Sequence, residues 1–486
     1  MLGARANGDA PKTMHTPIRI LWVTFDFPPR MSSGAYRPIK VYKYLDPAVC
    51  RVDFVTHGES RRFAGATHDD SLLRDVALPP RVFRVPTPIP HDVLPALARR
   101  LRGRRPAETP GERRSEHAGP RVSAPSNKAT TTSETGGLYR RFAMATYFPD
   151  HLMLWGVLAA LRCAWLQLRH GYDVIYTTSF PESAHLPGVL LRWLGVRWVA
   201  DYRYGGPLWI KWLVGYRKTE ARDARDLAFQ RHVLRRADCV VTQSEPIRAD
   251  LAATFGLDAR AMHVVPSAFD EADFDGAEAR PVPFAKADGE VHLLHVGVME
   301  GVSGEHLRRL VDALNRLDAG VAARGRRLVV HAVGSDVFAG ASNPFGMRFE
   351  YRHHGTVVHH DLPPYLLAAD AFLLSTVTAG AGNDAIRGFV PSKLWEYLGA
   401  RRPVLMVGPK DPVWSILEQQ QVGVDLGEAA DATVSPDTFL DAVRTVPQSR
   451  ADVHQFTWQA RAASLQGIFE SLHRSRAVAP EGAPIG

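Results

Sequence analysis

The 486-residue sequence has only three cysteines, Cys50, Cys163 and Cys239. They lie far apart and match neither a zinc-binding nor a redox-active spacing, which indicates a reducing cytosol. The first 17 residues lack the apolar run of a signal peptide. No uncharged apolar stretch reaches the roughly 18 residues of a membrane span, and the longest candidate, His151–Leu168, contains Arg162. We therefore expect a cytoplasmic protein that does not cross the membrane.

Acidic residues are in the minority, with 51 Asp and Glu against 59 Lys and Arg and a net charge of +8. This balance favours an anionic partner, whether a nucleotide, a phospholipid or a nucleic acid. The basic residues form no recognised nucleic-acid-binding module, so we expect no nucleic-acid partner. The length exceeds that of one ordinary hydrophobic core and predicts two or three domains.

Short β-branched runs alternate with helical stretches along most of the chain. Near-continuous apolar strands joined by helices predict parallel sheets covered on both faces. We therefore predict an α/β protein with two Rossmann-like doubly wound domains facing a central cleft, where the carboxyl ends of the strands bind ligands. The predicted strands are Ile18–Thr24, Arg51–Thr56, Asp173–Thr178, Arg197–Asp201 and Asp238–Ser244, followed by Val291–Gly297, Arg327–Gly334, Phe349–Gly355, Ala371–Ser375 and Pro403–Gly408.

Composition sets the expected domain boundaries. An acidic, Pro-containing and weakly periodic segment, Glu271–Glu290, is interpreted as the interdomain linker. The segment at about 99–137 has almost no large apolar residues and predicts a disordered basic insertion, whose Arg99–Arg105 run is either simply solvated or binds anionic lipid headgroups. The predicted units are a disordered tail (1–16), an N-terminal acceptor domain (17–275), a C-terminal donor domain (286–455), a helix returning to the N-terminal domain (456–474) and a second tail (475–486).

The most informative stretch, Gly388–Gly408, has the pattern loop, helix, buried strand. Pro391 suits the start of a helix, and Ser392 is a favourable N-cap residue. The amides and dipole at such a helix start attract phosphate oxygens, and Lys393 adds a positive charge. Glu396 lies three residues later on the same helix face, where its carboxylate can accept two hydrogen bonds from a ribose diol. The alternative is that Lys393 and Glu396 form an ordinary exposed helix pair.

This segment resembles the donor-binding helix of glycosyltransferase family 4, whose members have the two-Rossmann GT-B fold. The resemblance implies that Glu396 binds the nucleotide ribose, that the helix start binds the diphosphate and that Gly34 approaches the donor sugar. The segments that carry it are Phe25–Arg37, Ser179–Gly188, Trp198–Arg203, Val240–Leu251, Val264–Asp270, His353–Ser375, Gly388–Gly408 and Phe456–Leu472. The expected donor-binding residues are Gly34, Gly297, Gly334, Pro391, Ser392, Lys393, Leu394 and Glu396.

The sequence departs from the family pattern in the donor domain. The family often has two glutamates separated by seven residues, and the position of the first is Gly388 here. The Arg and Lys that often follow the first strand of the donor domain are missing from Gly297–Leu307.

The expected catalytic residues are Lys393, His185 and Asp201. Lys393 would stabilise the charge that grows on the departing diphosphate. His185 either reaches the cleft or packs beside it, and Asp201 either acts at its strand end or caps the following turn. The alternative for Gly34 is that it serves backbone conformation alone. The histidines at 353, 354, 359 and 360 suggest a metal site, but surface-loop positions are the preferred interpretation.

The resemblance implies transfer of a sugar from a nucleotide-sugar donor to a hydroxyl acceptor with retention of anomeric configuration, without an obligatory metal or other cofactor. We expect a lipid-linked or polysaccharide-precursor acceptor at the inner face of the membrane. Trp and basic residues alternate in Leu191–Lys218, which favours peripheral contact with an anionic membrane. The alternatives are a GT-B sugar-nucleotide epimerase and a catalytically degenerate nucleotide-binding scaffold.

Overall fold

The computed structural model describes residues 16–30, 32–58, 70–88, 148–204, 220–299, 304–338, 342–376, 388–408, 412–427, 434–446 and 453–478. The insertion predicted at 99–137 lies outside these ranges, as do all but the edges of the two predicted tails. Among the described residues, no helix is long and apolar enough to cross a bilayer.

The first sheet is parallel throughout and contains seven strands. These are β1 (Ile18–Val23), β2 (Cys50–His57), β3 (Arg81–Val85), β4 (Val174–Thr178), β5 (Arg197–Tyr202), β6 (Cys239–Thr242) and β7 (Met262–Val264). Their order is β3-β2-β1-β4-β5-β6-β7. The chain therefore winds outward from β1 in both directions, as in a doubly wound domain. The helices of this half are α1 (Ser33–Tyr44), α2 (Ser71–Arg74), α3 (Met153–His170), α4 (Leu186–Trp193), α5 (Glu220–Arg236) and α6 (Glu245–Phe255).

The second sheet repeats this arrangement with six parallel strands. These are β8 (Glu290–Gly297), β9 (Arg327–Gly334), β10 (Glu350–His353), β11 (Ala371–Ser375), β12 (Val404–Val407) and β13 (Gly423–Gly427). Their order is β10-β9-β8-β11-β12-β13. The helices are α7 (Gly304–Ala322), α8 (Pro363–Ala368), α9 (Lys393–Ala400), α10 (Val413–Gln419) and α11 (Pro436–Thr445), and α12 (Trp458–Val478) closes the chain. The prediction of two doubly wound parallel-sheet domains is confirmed.

Each sheet separates two hydrophobic clusters. In the first domain, Trp155 and Trp198 lie in one cluster and Trp22 and Phe54 in the other. The central strands β1 and β4 are buried along almost their whole length, because helices cover both faces of the sheet. This rigid packing fixes the carboxyl ends of the strands at the cleft.

The last helix joins the two domains. Trp458, Leu465 and Phe469 of α12 belong to a hydrophobic cluster of the N-terminal domain. Just before this helix, the Phe269 amide donates a hydrogen bond to the Phe456 carbonyl (3.1 Å), and the Trp458 amide donates one to the Phe269 carbonyl (2.9 Å). The chain passes between the domains twice, near Phe269 and near Phe456–Trp458, and these two segments are hydrogen-bonded to each other.

Candidate functional site

The carboxyl ends of β8 and β9 meet at a pair of glycines. Gly297 and Gly334 are register partners with φ of +84° and +106°. A Cβ atom on Gly334 would lie 3.0 Å from the Gly297 Cα, so the close approach of the strands requires glycine. The Lys393 ammonium donates a hydrogen bond to the Val298 carbonyl at 2.7 Å, which places its charge at this edge of the sheet.

Helix α9 begins without the predicted side-chain cap. Ser392 has helical dihedral angles and makes no capping hydrogen bond. A tight turn takes the place of the cap: the Leu394 amide donates to the Pro391 carbonyl at 3.1 Å. The Leu394 side chain is fully buried in the domain core and supports the helix, so a donor contact by Leu394 stays a prediction for its backbone amide alone.

The loop that precedes α9 touches the N-terminal domain. The Ser244 hydroxyl donates a hydrogen bond to the Gly388 carbonyl at 2.8 Å, and the Gln243 side-chain amide lies 3.5 Å from the Val390 carbonyl. Gly388 has φ of +90°, and a Cβ atom there would lie 2.9 Å from the Pro246 Cβ. The donor loop is therefore fitted closely to the start of α6.

A pocket lies between α1, α9 and the interdomain crossing. Its volume is about 420 Å³, including the part open to solvent. We call it the cleft pocket, and its lining residues are Tyr36, Arg37, Lys40, Ser267, Ala268, Phe269, Asp270, Asp273, His359, Ser392, Glu396 and Trp458. Both domains contribute, as expected of a site in the central cleft.

One wall of the cleft pocket is a buried charge network around Lys40. Its ammonium, on a side chain that is 2% exposed, bonds Asp75 at 2.9 Å, Asp270 at 2.8 Å and Asp273 at 2.5 Å. Lys43 also bonds Asp270 at 2.8 Å. Burial would raise the pKa of Asp273, but hydrogen bonds from His359 and Lys40 and their charges lower it to about 2. The three carboxylates are close enough to hold a metal, yet the Lys40 ammonium already bonds each of them.

His359 connects this network to Glu396. Its Nε2 atom lies 2.8 Å from Asp273, and its Nδ1 atom lies 3.7 Å from a Glu396 oxygen. Burial opposes a charge on His359, but the hydrogen bond and charge of Asp273 and the charge of Glu396 outweigh it and raise its pKa. Burial raises the pKa of Glu396, and the charge of His359 opposes that shift. His359 is 7% exposed, so the interpretation of this histidine as a surface-loop residue is wrong.

Asp201 reaches the cleft only through Arg37. Both side chains are almost fully buried, and the Arg37 Nε donates to Asp201 at 2.9 Å. Arg37 Nη1 also donates to the Val265 carbonyl at 2.8 Å, which ties α1 to the end of the N-terminal sheet. Gly34 begins the same helix, where a Cβ atom would overlap the Asp26 carboxylate. Gly34 is therefore required for close packing within the first loop.

His185 lies in the core of the N-terminal domain. It is fully buried, its Nδ1 atom lies 2.8 Å from the Thr177 hydroxyl, and its ring stacks on Tyr202 at 4.8 Å. Burial lowers the pKa of His185 to about 3, so the ring is neutral at physiological pH. This placement favours the packing alternative over the catalytic one, because the ring does not line the cleft pocket.

Comparisons with known proteins agree with this architecture. Residues 112–273, a third of the chain, match the family model of Glycosyltransferase Family 4. No curated protein matches the chain.

Solved structures with a similar fold cover nearly the whole chain. A glycosyltransferase from Rickettsia africae ESF-5 has a TM-score of 0.56 at 12% identity, over 94% of this chain and 99% of that one. Sucrose-phosphate synthase from Thermosynechococcus elongatus has a TM-score of 0.53 at 15% identity, over 94% and 100%. A putative UDP-N-acetylglucosamine 2-epimerase from Listeria monocytogenes has a TM-score of 0.51 at 11% identity, over 96% and 100%. At these identities the likeness establishes the GT-B fold alone.

The structure brings together some of the residues predicted for the donor site. Gly297, Gly334 and Lys393 converge at one sheet edge, with Ser392 and Glu396 beside them on the cleft pocket. Lys40, Asp270 and Asp273 were not proposed as site residues, and His359 was interpreted as a surface-loop residue. The acidic composition of the linker was the available signal for Asp273, and Asp270 ends the family-like segment just before the linker.

Proposed function

We propose that the protein is a glycosyltransferase that moves a sugar from a nucleotide-sugar donor to an acceptor hydroxyl, with retention of anomeric configuration. The observation that carries the proposal is that two residues of helix α9 face the cleft: Lys393 reaches the Gly297–Gly334 pair at the carboxyl edge of a Rossmann-like sheet, and Glu396, one turn further along, lines the cleft pocket. Nucleotides bind at this edge in doubly wound domains.

Each residue of this group has a defined task in the proposal. The Glu396 carboxylate accepts hydrogen bonds from the ribose diol. The Lys393 ammonium, now on the Val298 carbonyl, turns to the diphosphate and offsets the negative charge that develops as the sugar leaves. The glycines leave room for the phosphates against the strand ends, since neither carries a side chain.

His359 and Arg37 act as positioning residues in this proposal. The positive charge of His359 beside Glu396 favours the ionised carboxylate that a ribose diol requires, against the effect of burial. Arg37, held by Asp201, fixes α1 at the wall of the cleft pocket. Asp201 thus acts through Arg37 and does not touch the donor.

For the acceptor we propose a lipid-linked or polysaccharide precursor presented at the inner face of the membrane, in agreement with the net charge of +8. We propose that transfer needs no metal, because the Asp75, Asp270 and Asp273 carboxylates already bond the Lys40 ammonium, and Lys43 and His359 bond two of them as well.

The test is thermal stabilisation by a panel of nucleoside diphosphates and sugar nucleotides. Ligand at 100 times its Kd stabilises the folded state by about 2.7 kcal/mol, which corresponds to a rise in Tm of roughly 5–10 °C for a domain of this size. We expect one nucleotide series to stabilise the wild type, and Glu396→Gln to lose most of this shift. The matched control is Glu418→Gln, on the exposed side of α10 in the same domain. Absence of stabilisation by every nucleotide, or equal loss in both variants, would refute the donor site.

An epimerase acting on a free sugar nucleotide is the second candidate, because the same fold is shared with a putative 2-epimerase. The two differ in their need for an acceptor. Conversion of the stabilising sugar nucleotide into an isomer without any acceptor would favour the epimerase. Release of nucleoside diphosphate that depends on an added glycan or lipid-linked acceptor would favour the transferase. Binding without turnover in either assay would leave a nucleotide-binding scaffold.

A further inference from the structure

Helix α3 is apolar on both sides. Its inner face, with Trp155, Cys163 and Leu166, packs into the core of the N-terminal domain. The outward face of such a helix is normally polar. Here it carries a continuous row of exposed apolar side chains, which we call the α3 stripe: Val157 (43% exposed), Leu158 (36%), Leu161 (60%), Trp165 (46%) and Leu168 (83%).

The exposed apolar residues are concentrated in this part of the protein. Among the residues that the structure describes, ten large hydrophobic side chains are exposed, and seven of them lie on the α3 stripe or at the end of the neighbouring α4. The two on α4 are Trp193 (74% exposed) and Leu194. Single exposed apolar residues need no explanation, but a group of this kind marks an interaction surface.

The charged groups that lie over the exposed tryptophans are all arginines, and Asp238 near the end of α4 is bonded to Arg192 and Arg197. Arg162 lies over the Trp165 ring at 4.5 Å and Arg169 lies over it at 5.4 Å, while Arg236 lies over Trp193 at 6.0 Å. The 18 residues of α3 include no Asp or Glu.

The carboxylates that flank α3 are already engaged. Asp150 is buried and accepts hydrogen bonds from the Leu152 and Ser183 amides, and Asp173 accepts one from the Arg19 amide. The surface therefore presents Leu and Trp side chains among arginines.

We propose that α3 and the end of α4 dock the protein flat on an anionic bilayer. Apolar side chains enter the headgroup boundary, and the arginines whose guanidinium groups lie over the tryptophan rings pair with lipid phosphates. The predicted membrane contact at Leu191–Lys218 contributes Trp193, whereas Trp198 is fully buried and Trp209 and Trp212 lie outside the described residues.

A second copy of this chain would fit the surface less well. In a twofold dimer across α3, the arginines of both copies would lie in one interface to which α3 contributes no carboxylate, and repulsion between like charges would oppose association. A bilayer containing acidic lipids supplies both an apolar layer and negative charge. The proposal does not depend on the chemistry of the cleft, because it concerns binding alone.

Flotation with lipid vesicles tests it. We expect the full chain to float with vesicles of phosphatidylcholine and phosphatidylglycerol and much less with phosphatidylcholine alone. The variant Leu161→Glu/Leu168→Glu should lower vesicle affinity by roughly tenfold or more, because two exposed leucines no longer enter the apolar layer. Arg162→Gln/Arg169→Gln should remove much of the preference for the anionic vesicles. The matched control is Leu78→Glu, a 61% exposed leucine elsewhere in the domain.

The Arg99–Arg105 run would also attract anionic lipid, so the comparison between variants decides the result. Equal flotation of the wild type and Leu161→Glu/Leu168→Glu, or an equal loss in Leu78→Glu, would overturn the proposal. Size-exclusion chromatography with light scattering identifies the competing occupant: a dimer that dissociates in the α3 variant without a change in flotation also overturns it. Nucleotide-induced thermal stabilisation is measured on the same variants. Flotation tests the membrane proposal and thermal stabilisation tests the donor site, so the failure of one proposal is distinguished from the failure of the other.

Discussion

Replacing the buried Lys40 by Met should destabilise the N-terminal domain much more than replacing the partly exposed Lys43. The Met side chain preserves most of the apolar stem but removes the ammonium that bonds Asp75, Asp270 and Asp273. The Lys40 and Asp270 side chains are 2% and 0% exposed, so water does not replace the lost partner.

Removing one partner of a buried ion pair costs about 3–5 kcal/mol, because the other charge stays buried without compensation. Lys43 and the Tyr44 hydroxyl still bond Asp270 in the variant, which favours the lower end of this range. A loss of about 3 kcal/mol corresponds to a fall in Tm of roughly 6–12 °C for a domain of this size. Lys43→Met is the control, and it should cost about 1 kcal/mol, since Lys43 is 17% exposed and bonds one carboxylate.

The pH dependence distinguishes this charge effect from a packing defect. In the wild type the pKa of Asp270 and Asp273 is lowered, so their stabilising contribution is full above about pH 4 and is lost as the pH falls toward their folded-state values. In Lys40→Met these carboxylates bind protons more readily. The difference in unfolding free energy between the two proteins should therefore narrow below about pH 5. Urea titrations from pH 3 to pH 8 measure it. A difference that is constant over this range would refute the electrostatic reasoning.

Three further substitutions test individual contacts. As the pH falls from 6.5 to about 3, the wild type should lose about 1.4 kcal/mol of unfolding free energy per pH unit, because burial lowers the pKa of the His185 imidazole and the unfolded chain binds the proton first. His185→Gln should not show this loss. Gly34→Ala should cost about 1–3 kcal/mol through overlap with Asp26, and Gly34→Ala/Asp26→Ala should recover part of it in calorimetry. Asp201→Asn should cost about 3 kcal/mol in urea unfolding at pH 7, because Arg37 keeps its charge in the core.

Each of these expectations has a result that contradicts it. For His185 it is an unchanged acid slope in the glutamine variant. For Gly34 it is a double variant no more stable than Gly34→Ala. For Asp201 it is a melting temperature equal to that of the wild type.

The interior strands of both sheets were predictable from the sequence, and most of the edge strands were not. Ala371–Ser375 and Arg327–Gly334 were predicted with the bounds observed, because strands covered on both faces are continuous apolar runs. Edge strands bury less, and that pattern is weaker in them. Three of the four edge strands were missed, namely Arg81–Val85, Met262–Val264 and Gly423–Gly427, whereas the fourth, Glu350–His353, was predicted as Phe349–Gly355.

The residues of the cleft were predictable only where they lie close together in the sequence. Lys393 and Glu396 share one short helix, so a local motif indicated them together. Lys40 and Asp273 are 233 residues apart, and His359 comes from the other domain. No spacing rule brings these three together, because their proximity results from the way the chain crosses twice between the domains.

Gly388 connects the departure from the family pattern to the geometry of the cleft. Its φ of +90° disfavours any side chain, and a Cβ atom would lie 2.9 Å from Pro246 and 3.1 Å from the Ile247 amide nitrogen. Its carbonyl accepts the Ser244 hydroxyl of the opposite domain at 2.8 Å. A glutamate at this position would need a different backbone and a wider gap between the donor loop and α6. The loss of that carboxylate and the close contact between the domains are therefore a single feature, because position 388 has room for only one of them.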